Sequence, residues 1–92
     1  MSDLPYFDID DLRNQIDKID SNLVSLFEVR MEIILKIDKY KKDNNMKILN
    51  QAREEEIIKK NLNLVKNKDF CSEVEQFFKS VMEISRGFQT KI

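Results

Sequence analysis

The 92-residue sequence contains no histidine and only one cysteine, one glycine and one proline. A single cysteine excludes a disulfide within the chain. The missing histidine excludes Ser-His and Cys-His nucleophile pairs and histidine-containing metal sites, and histidine is the side chain best suited to moving protons near pH 7. If the protein is an enzyme, the composition favours a reaction that needs no proton transfer.

The sequence also lacks an excess of either charge, since sixteen basic residues face seventeen acidic ones and the net charge is -1. It therefore has no general basic field to attract nucleic acid or an anionic membrane. No apolar run approaches the roughly 18 residues that span a bilayer. The N-terminal sequence MSDLPYFDIDD is acidic where a signal peptide is basic and then apolar. We expect one small cytoplasmic domain, residues 1–92, that binds neither nucleic acid nor membranes.

The near absence of glycine and proline favours long uninterrupted helices. Apolar positions in the first half alternate in spacing between four and three residues, which forms a heptad-like seam. This seam consists of Leu12, Ile16, Ile19, Leu23, Leu26, Arg30, Ile33, Ile37 and Tyr40. We predict an all-α fold with helices at about 8–42, 50–66 and 72–90. Asn50 is the predicted N-cap of the second helix, and Ser72 begins a predicted capping box for the third.

The first predicted helix is too long for its own chain to cover. About 35 residues span roughly 52 Å at 1.5 Å per residue, whereas a compact domain of this size has a radius of gyration of about 13 Å. The two shorter helices can line only part of that length. We therefore expect a partner chain, most simply in a two-fold homodimer, to bury the rest.

The four arginines stand out against twelve lysines, because a planar guanidinium suits two-pronged binding of carboxylates. Arg30 occupies a seam position, where an unpaired charge would cost several kcal/mol, so it needs an anion. Lys41 lies about three turns further along the same face. Arg13 precedes Arg30 by roughly 25 Å along a straight helix. Arg13 and Lys41 can therefore serve one small ligand only from different subunits.

Polar side chains on the other two predicted helices extend this pattern. Ser85 and Gln89 lie four residues apart, on an apolar side of the third helix. Hydrogen-bonding groups that face inward on two helices predict a pocket between helices. The sequence NQAREEE places Asn50, Arg53 and Glu54 in the first turn of the second helix.

Five short motifs in this order resemble the all-helical (type II) chorismate mutases, which are intertwined three-helix homodimers. The motifs are LRNQID..D at 12–20, the arginine of LFEVRMEI, the lysine of KYK at 39–41, N..RE at 50–54 and S...Q at 85–89. The resemblance covers about residues 10–90. It implies an isomerase that converts chorismate to prephenate by a [3,3] Claisen rearrangement in the shikimate pathway, for phenylalanine and tyrosine biosynthesis. It implies no cofactor and no metal.

The resemblance also implies roles for the candidate residues. Arg13 of one subunit and Arg30 of the other would hold the two carboxylates of chorismate. Lys41 and Gln89 would donate hydrogen bonds to the ether oxygen whose bond to carbon breaks, and Glu54 would accept from the ring hydroxyl. Such a reaction is unimolecular, so the enzyme has to fix a compact conformer and stabilise charge that grows on the ether oxygen.

Three further residues complete the implied lining: Asn50, Arg53 and Ser85. The family often has aspartate at the position of Asn50, which leaves the role of that side chain open, although a backbone contact would survive. Arg86 is interpreted as an ordinary surface charge outside the site.

Two other functions fit many of the same features. The first is an isochorismate pyruvate-lyase on the same scaffold, which would share Arg13, Arg30, Lys41 and Gln89. The carboxylate of Glu54 counts against it, because these lyases generally lack one there. The second is a non-catalytic helical dimerisation module, in which Arg30 forms a register-setting ion pair with a partner helix.

Overall fold

The computed structural model describes residues 7–89, in which the regular secondary structure is helical and no strand occurs. Helix α1 spans Ile9–Asp43, α2 spans Gln51–Leu62 and α3 spans Cys71–Gln89, with a 3₁₀ turn at Lys68–Phe70 before α3. The predicted all-helical fold of three helices is confirmed. Residue 90, the predicted end of the third helix, lies outside the described residues. No helix within residues 7–89 is both long enough and apolar enough to cross a membrane.

Local hydrogen bonds explain where α2 begins and ends. The side-chain oxygen of Asn50 accepts from the backbone N–H of Arg53 at 3.0 Å, so Asn50 is the N-cap that the sequence predicts. The helix ends at Leu62, before the predicted residue 66. Its end comes early because the N–H groups of Leu64 and Val65 bond to carbonyls three residues back, which tightens the chain into a turn.

The start of α3 differs from the predicted capping box. Asn67 caps the preceding 3₁₀ turn by accepting from the N–H of Asp69 at 3.0 Å. The turn leads directly into α3 at Cys71, so Ser72 lies inside the helix instead of at its N-cap. At the other end, α3 continues through Gly87 to Gln89.

The chain divides into two compact units, one ending at Ile33 and the other beginning at Ile34. The second unit contains the last turns of α1 together with α2 and α3, and α2 packs against α3. The buried residues described here are two apolar and two polar ones, all in this unit: Val81, Met82, Asp38 and Ser85. Half of this very small core is therefore polar.

The first unit leaves the predicted seam of α1 open to solvent. Ile16, Ile19, Leu23 and Leu26 are 55%, 53%, 45% and 67% exposed. Across residues 7–89, eighteen large apolar side chains are exposed. An exposed apolar stripe along one helix, such as Ile16, Ile19, Leu23 and Leu26, marks an interaction site.

Candidate active site

The last turns of α1 have two faces with opposite environments. Ile37 and Tyr40, which belong to the seam, are 46% and 62% exposed. Asp38 is only 3% exposed and Lys41 is half-buried. The three-residue spacing places Asp38 and Lys41 on one face. Lys41 also follows the exposed seam residue Ile37 by four residues, so it lies at the border between the covered face and the seam.

Lys41 holds the connection between α1 and α2. Its Nζ donates to the carbonyl oxygen of Ile48 at 2.7 Å, and its own carbonyl accepts from the N–H of Met46 at 2.8 Å. Asn45 closes the turn with a φ of 55°, a left-handed conformation that asparagine tolerates. An ammonium group has three N–H donors, so Lys41 retains donors for a ligand after its bond to Ile48.

The first turn of α2 sends its charged side chains in different directions. Arg53 is 55% exposed and pairs with Glu56 on the same helix. Glu54, whose side chain is 27% exposed, accepts instead from the guanidinium of Arg86 on α3. Glu54 is thus held against α3, whereas the side chain of Arg53 stays in solvent. Arg86 is part of this arrangement, although the sequence interpretation assigned it to the surface.

The last turns of α3 carry two of the candidate polar residues on one face. Ser85 is 3% exposed, and its hydroxyl donates to the carbonyl of Val81 at 2.7 Å. Gln89 is the last residue of α3, and its Nε2 donates to Oδ1 of Asp38 at 2.7 Å. The amide of Gln89 therefore reaches the covered face of α1 that also carries Lys41.

Asp38 is the residue that the sequence interpretation missed. It is buried, it contacts the amide of a candidate catalytic residue, and its second oxygen has no hydrogen-bond partner among residues 7–89. Its spacing of three residues from Lys41 is the signal that identifies it. The seam pattern hid this signal, because Asp38 falls next to the apolar position Ile37.

The first unit contains the remaining two candidates. Arg13 is 72% exposed at its side chain and lies 3.9 Å from Asp10 one turn earlier, a loose surface ion pair. Arg30 is half-buried. Six candidates therefore belong to the second unit and two to the first.

The half-buried cations of the second unit are already engaged within the chain. Arg86 pairs with the carboxylate of Glu54, and Lys41 donates to the carbonyl oxygen of Ile48. No group of three or more Asp, Glu or Cys side chains among the described residues is placed to hold a metal ion. The arrangement can orient and polarise an oxygen of a ligand through Lys41 and Gln89.

The comparisons with known proteins give one match. The sequence pattern of the family described as chorismate mutase type II matches residues 12–90. No significant match is found among curated proteins or solved structures.

Proposed function

The chain belongs to the chorismate mutase type II family, and on that premise we propose that it isomerises chorismate to prephenate. The observation that carries the proposal is the placement of Lys41 and Gln89 in one compact unit. Each donates one hydrogen bond within the chain and retains further N–H groups. Two such donors suit an ether oxygen on which negative charge develops. Aromatic amino-acid biosynthesis in the cytoplasm is the setting that this activity implies.

The chemistry of the rearrangement agrees with the composition. Chorismate converts to prephenate within one molecule, so no acid, base, nucleophile or metal has to take part. The protein contributes orientation, which can supply several kcal/mol, and preorganised donors. Removing one such donor typically costs about 2.7–4 kcal/mol. A chain without histidine can perform this task.

The contacts of two cations in the second unit bear on how a dianion is held. Arg86 pairs with Glu54 and Lys41 donates to the carbonyl oxygen of Ile48, so the proposal takes the partners of the two substrate carboxylates from elsewhere. The proposal assigns them to Arg30 and to Arg13 of a second subunit. The side chain of Arg13 is largely exposed and joined only loosely to Asp10, so it is available to another chain.

The remaining candidates receive more restricted roles in the proposal. Glu54, held by Arg86, accepts from the ring hydroxyl of the substrate. Asn50 uses its side-chain oxygen to cap α2, so any contact with substrate comes from its backbone. Arg53 can exchange its exposed partner Glu56 for the ligand. Ser85, which is buried, completes the polar lining.

A homodimer is part of the same proposal. The apolar seam of α1 is exposed in the single chain at both Leu26 and Ile37, and burying apolar surface yields about 25 cal/mol per Å². A second copy of α1 or its neighbouring helices is the partner that an identical seam supplies most simply. The intertwined arrangement follows from the family resemblance.

The primary test is to incubate purified protein with chorismate and, separately, with isochorismate, and to identify the products. We expect loss of chorismate absorbance with prephenate as the product. Salicylate and pyruvate from isochorismate, without prephenate from chorismate, would establish the lyase instead. A folded dimer that turns over neither compound would support a non-catalytic module.

A second test addresses the shared site. Homodimers of Arg13→Ala and of Lys41→Ala are both expected to be nearly inactive. Mixing them under conditions of subunit exchange should restore activity, because each heterodimer contains one site with neither substitution. If heterodimers form and the mixture stays inactive, Arg13 does not act across subunits.

A further inference from the structure

Asp38 is a carboxylate in an unusual environment for a group that stabilises a fold. It is 3% exposed, and Gln89 is its one hydrogen-bond partner in the described chain. The half-buried cations among the described residues of the second unit are engaged elsewhere, since Lys41 donates to the carbonyl of Ile48 and Arg86 to Glu54. No cation within residues 7–89 therefore pairs with Asp38.

Burial of this kind opposes stability. A buried carboxylate loses its hydration, and one with an unsatisfied oxygen also bears the desolvation cost of that oxygen. Replacing such a group by an apolar side chain of similar volume is often neutral or stabilising. The contribution of Asp38 has to be sought in what it does to Gln89.

The effect on Gln89 follows from the chemistry of the two groups. The two ends of a glutamine amide have nearly the same shape, but only Nε2 donates and only Oε1 accepts. Oδ1 of Asp38 accepts from Nε2, so Asp38 selects the orientation in which Nε2 faces it. Nε2 carries two N–H groups. One bonds to Oδ1 of Asp38 at 2.7 Å, and the other is left for an oxygen of a ligand.

We propose that Asp38 is a positioning residue that fixes the amide of Gln89 so that its second N–H, and not its oxygen, is directed toward the ligand. What Gln89 then does for the substrate rests on the proposed mutase function. Without Asp38 the amide is free to turn and to place Oε1 against the ether oxygen, where two acceptors repel.

The test compares Asp38→Leu, Asp38→Asn and a control, Asp43→Leu. Asp43 ends the same helix, is exposed and pairs with Lys39. Loss of a donor at a developing oxyanion lowers kcat about 10²–10³-fold, so losing its orientation in Asp38→Leu should lower kcat about 10- to 100-fold. KM should change little. Asp38→Asn keeps an acceptor of the same shape and should recover part of the loss, and Asp43→Leu should behave as wild type.

The melting temperature and a double variant distinguish a positioning role of Asp38 from a structural one. The melting temperature of Asp38→Leu should equal or exceed that of wild type, and Asp38→Leu combined with Gln89→Ala should be no less active than Gln89→Ala alone. A lower melting temperature without rescue by Asp38→Asn would overturn the proposal. Additive losses in the double variant would do the same, because Asp38 would then act independently of Gln89.

One readout does not depend on catalysis. In ¹⁵N-labelled protein, the two side-chain amide protons of Gln89, assigned by their loss in Gln89→Ala, should be further apart in chemical shift than those of a free glutamine side chain, and one of them should exchange more slowly with water. This additional separation and the slow exchange should be lost in Asp38→Leu. If the signature is present but wild type does not convert chorismate, the mutase proposal fails and the pairing stands. If the signature is absent from wild type, the positioning proposal is wrong.

Discussion

Replacing Leu26 by aspartate should dissociate the proposed homodimer. Leu26 is 67% exposed in the single chain, and fully burying a leucine side chain contributes about 1.5–3 kcal/mol. Burying the exposed two-thirds in an interface would therefore contribute about 1–2 kcal/mol in each subunit. A two-fold dimer contains Leu26 twice, so the loss is about 2–4 kcal/mol. Since about 1.4 kcal/mol is tenfold in affinity, the dimer should weaken at least 30- to 1,000-fold.

The introduced carboxylate adds to this effect, because burying an unpaired charge costs several kcal/mol more. Leu64 provides a matched control. It is the same residue type with nearly the same exposure, 69%, but lies in the turn after α2 and is not one of the seam residues. Leu64→Asp should leave the association of the chain unchanged.

Sedimentation equilibrium over a range of protein concentrations measures both variants, with circular dichroism to verify helicity. We expect wild type and Leu64→Asp to remain dimers at concentrations where Leu26→Asp is a monomer. The reasoning is refuted if wild type is a monomer. It is equally refuted if Leu26→Asp associates as tightly as wild type.

Three further substitutions test individual features of the second unit. Arg86→Ala leaves the carboxylate of Glu54 without its partner, so KM for chorismate should rise about three- to tenfold, equivalent to about 0.6–1.4 kcal/mol. Lys79→Ala on the same helix should have no effect, and unchanged steady-state kinetics in Arg86→Ala would contradict this prediction. Asn50→Ala removes the cap of α2 at a cost of about 1 kcal/mol, so the melting temperature should fall about 4–8 °C. Asn50→Asp should keep the cap and the melting temperature of wild type. Equal melting temperatures for the alanine and aspartate variants would show that Asn50 does not stabilise α2 as a cap. Gly87→Ala should raise the melting temperature by a few degrees, because an added Cβ meets no described atom within 4 Å and alanine stabilises a helix interior by about 1 kcal/mol relative to glycine. A lower melting temperature would show that another group approaches this position in the dimer.

Local sequence features account well for the helices. Glycine and proline are almost absent, so nothing interrupts α1 between Ile9 and Asp43, and the cap at Asn50 depends on one side chain and a backbone N–H three residues away. The end of α2 was harder to predict. The apolar period continues to Val65, whereas the backbone turns after Leu62, and periodicity carries no information about such a turn.

Contacts between helices were the part that the sequence could not provide. Arg86 and Glu54 are 32 residues apart and meet because α2 packs against α3. Asp38 and Gln89 are 51 residues apart. A hydrophobic pattern identifies the face that is apolar, but it does not reveal which polar neighbour is covered by a helix distant in sequence. The residue types of the proposed site were therefore predictable, whereas their partners were not.

The roles that the proposal gives to the two subunits lead to one consequence for activity. In the second unit Arg86 is paired with Glu54 and Lys41 is assigned to the reacting oxygen, so the carboxylates of the substrate depend on Arg30 and on Arg13 of a second subunit. Its donors, Lys41 and Gln89, are suited to the reacting oxygen and not to charge neutralisation. If Arg13 of a second subunit supplies the missing charge, a monomer retains the donors but binds chorismate poorly. Activity should then follow the fraction of dimer. The specific activity of Leu26→Asp should recover as protein concentration rises, with kcat per dimer near that of wild type. A constant, low specific activity at concentrations where the dimer has re-formed would show that the seam and the site are coupled in some way other than through Arg13.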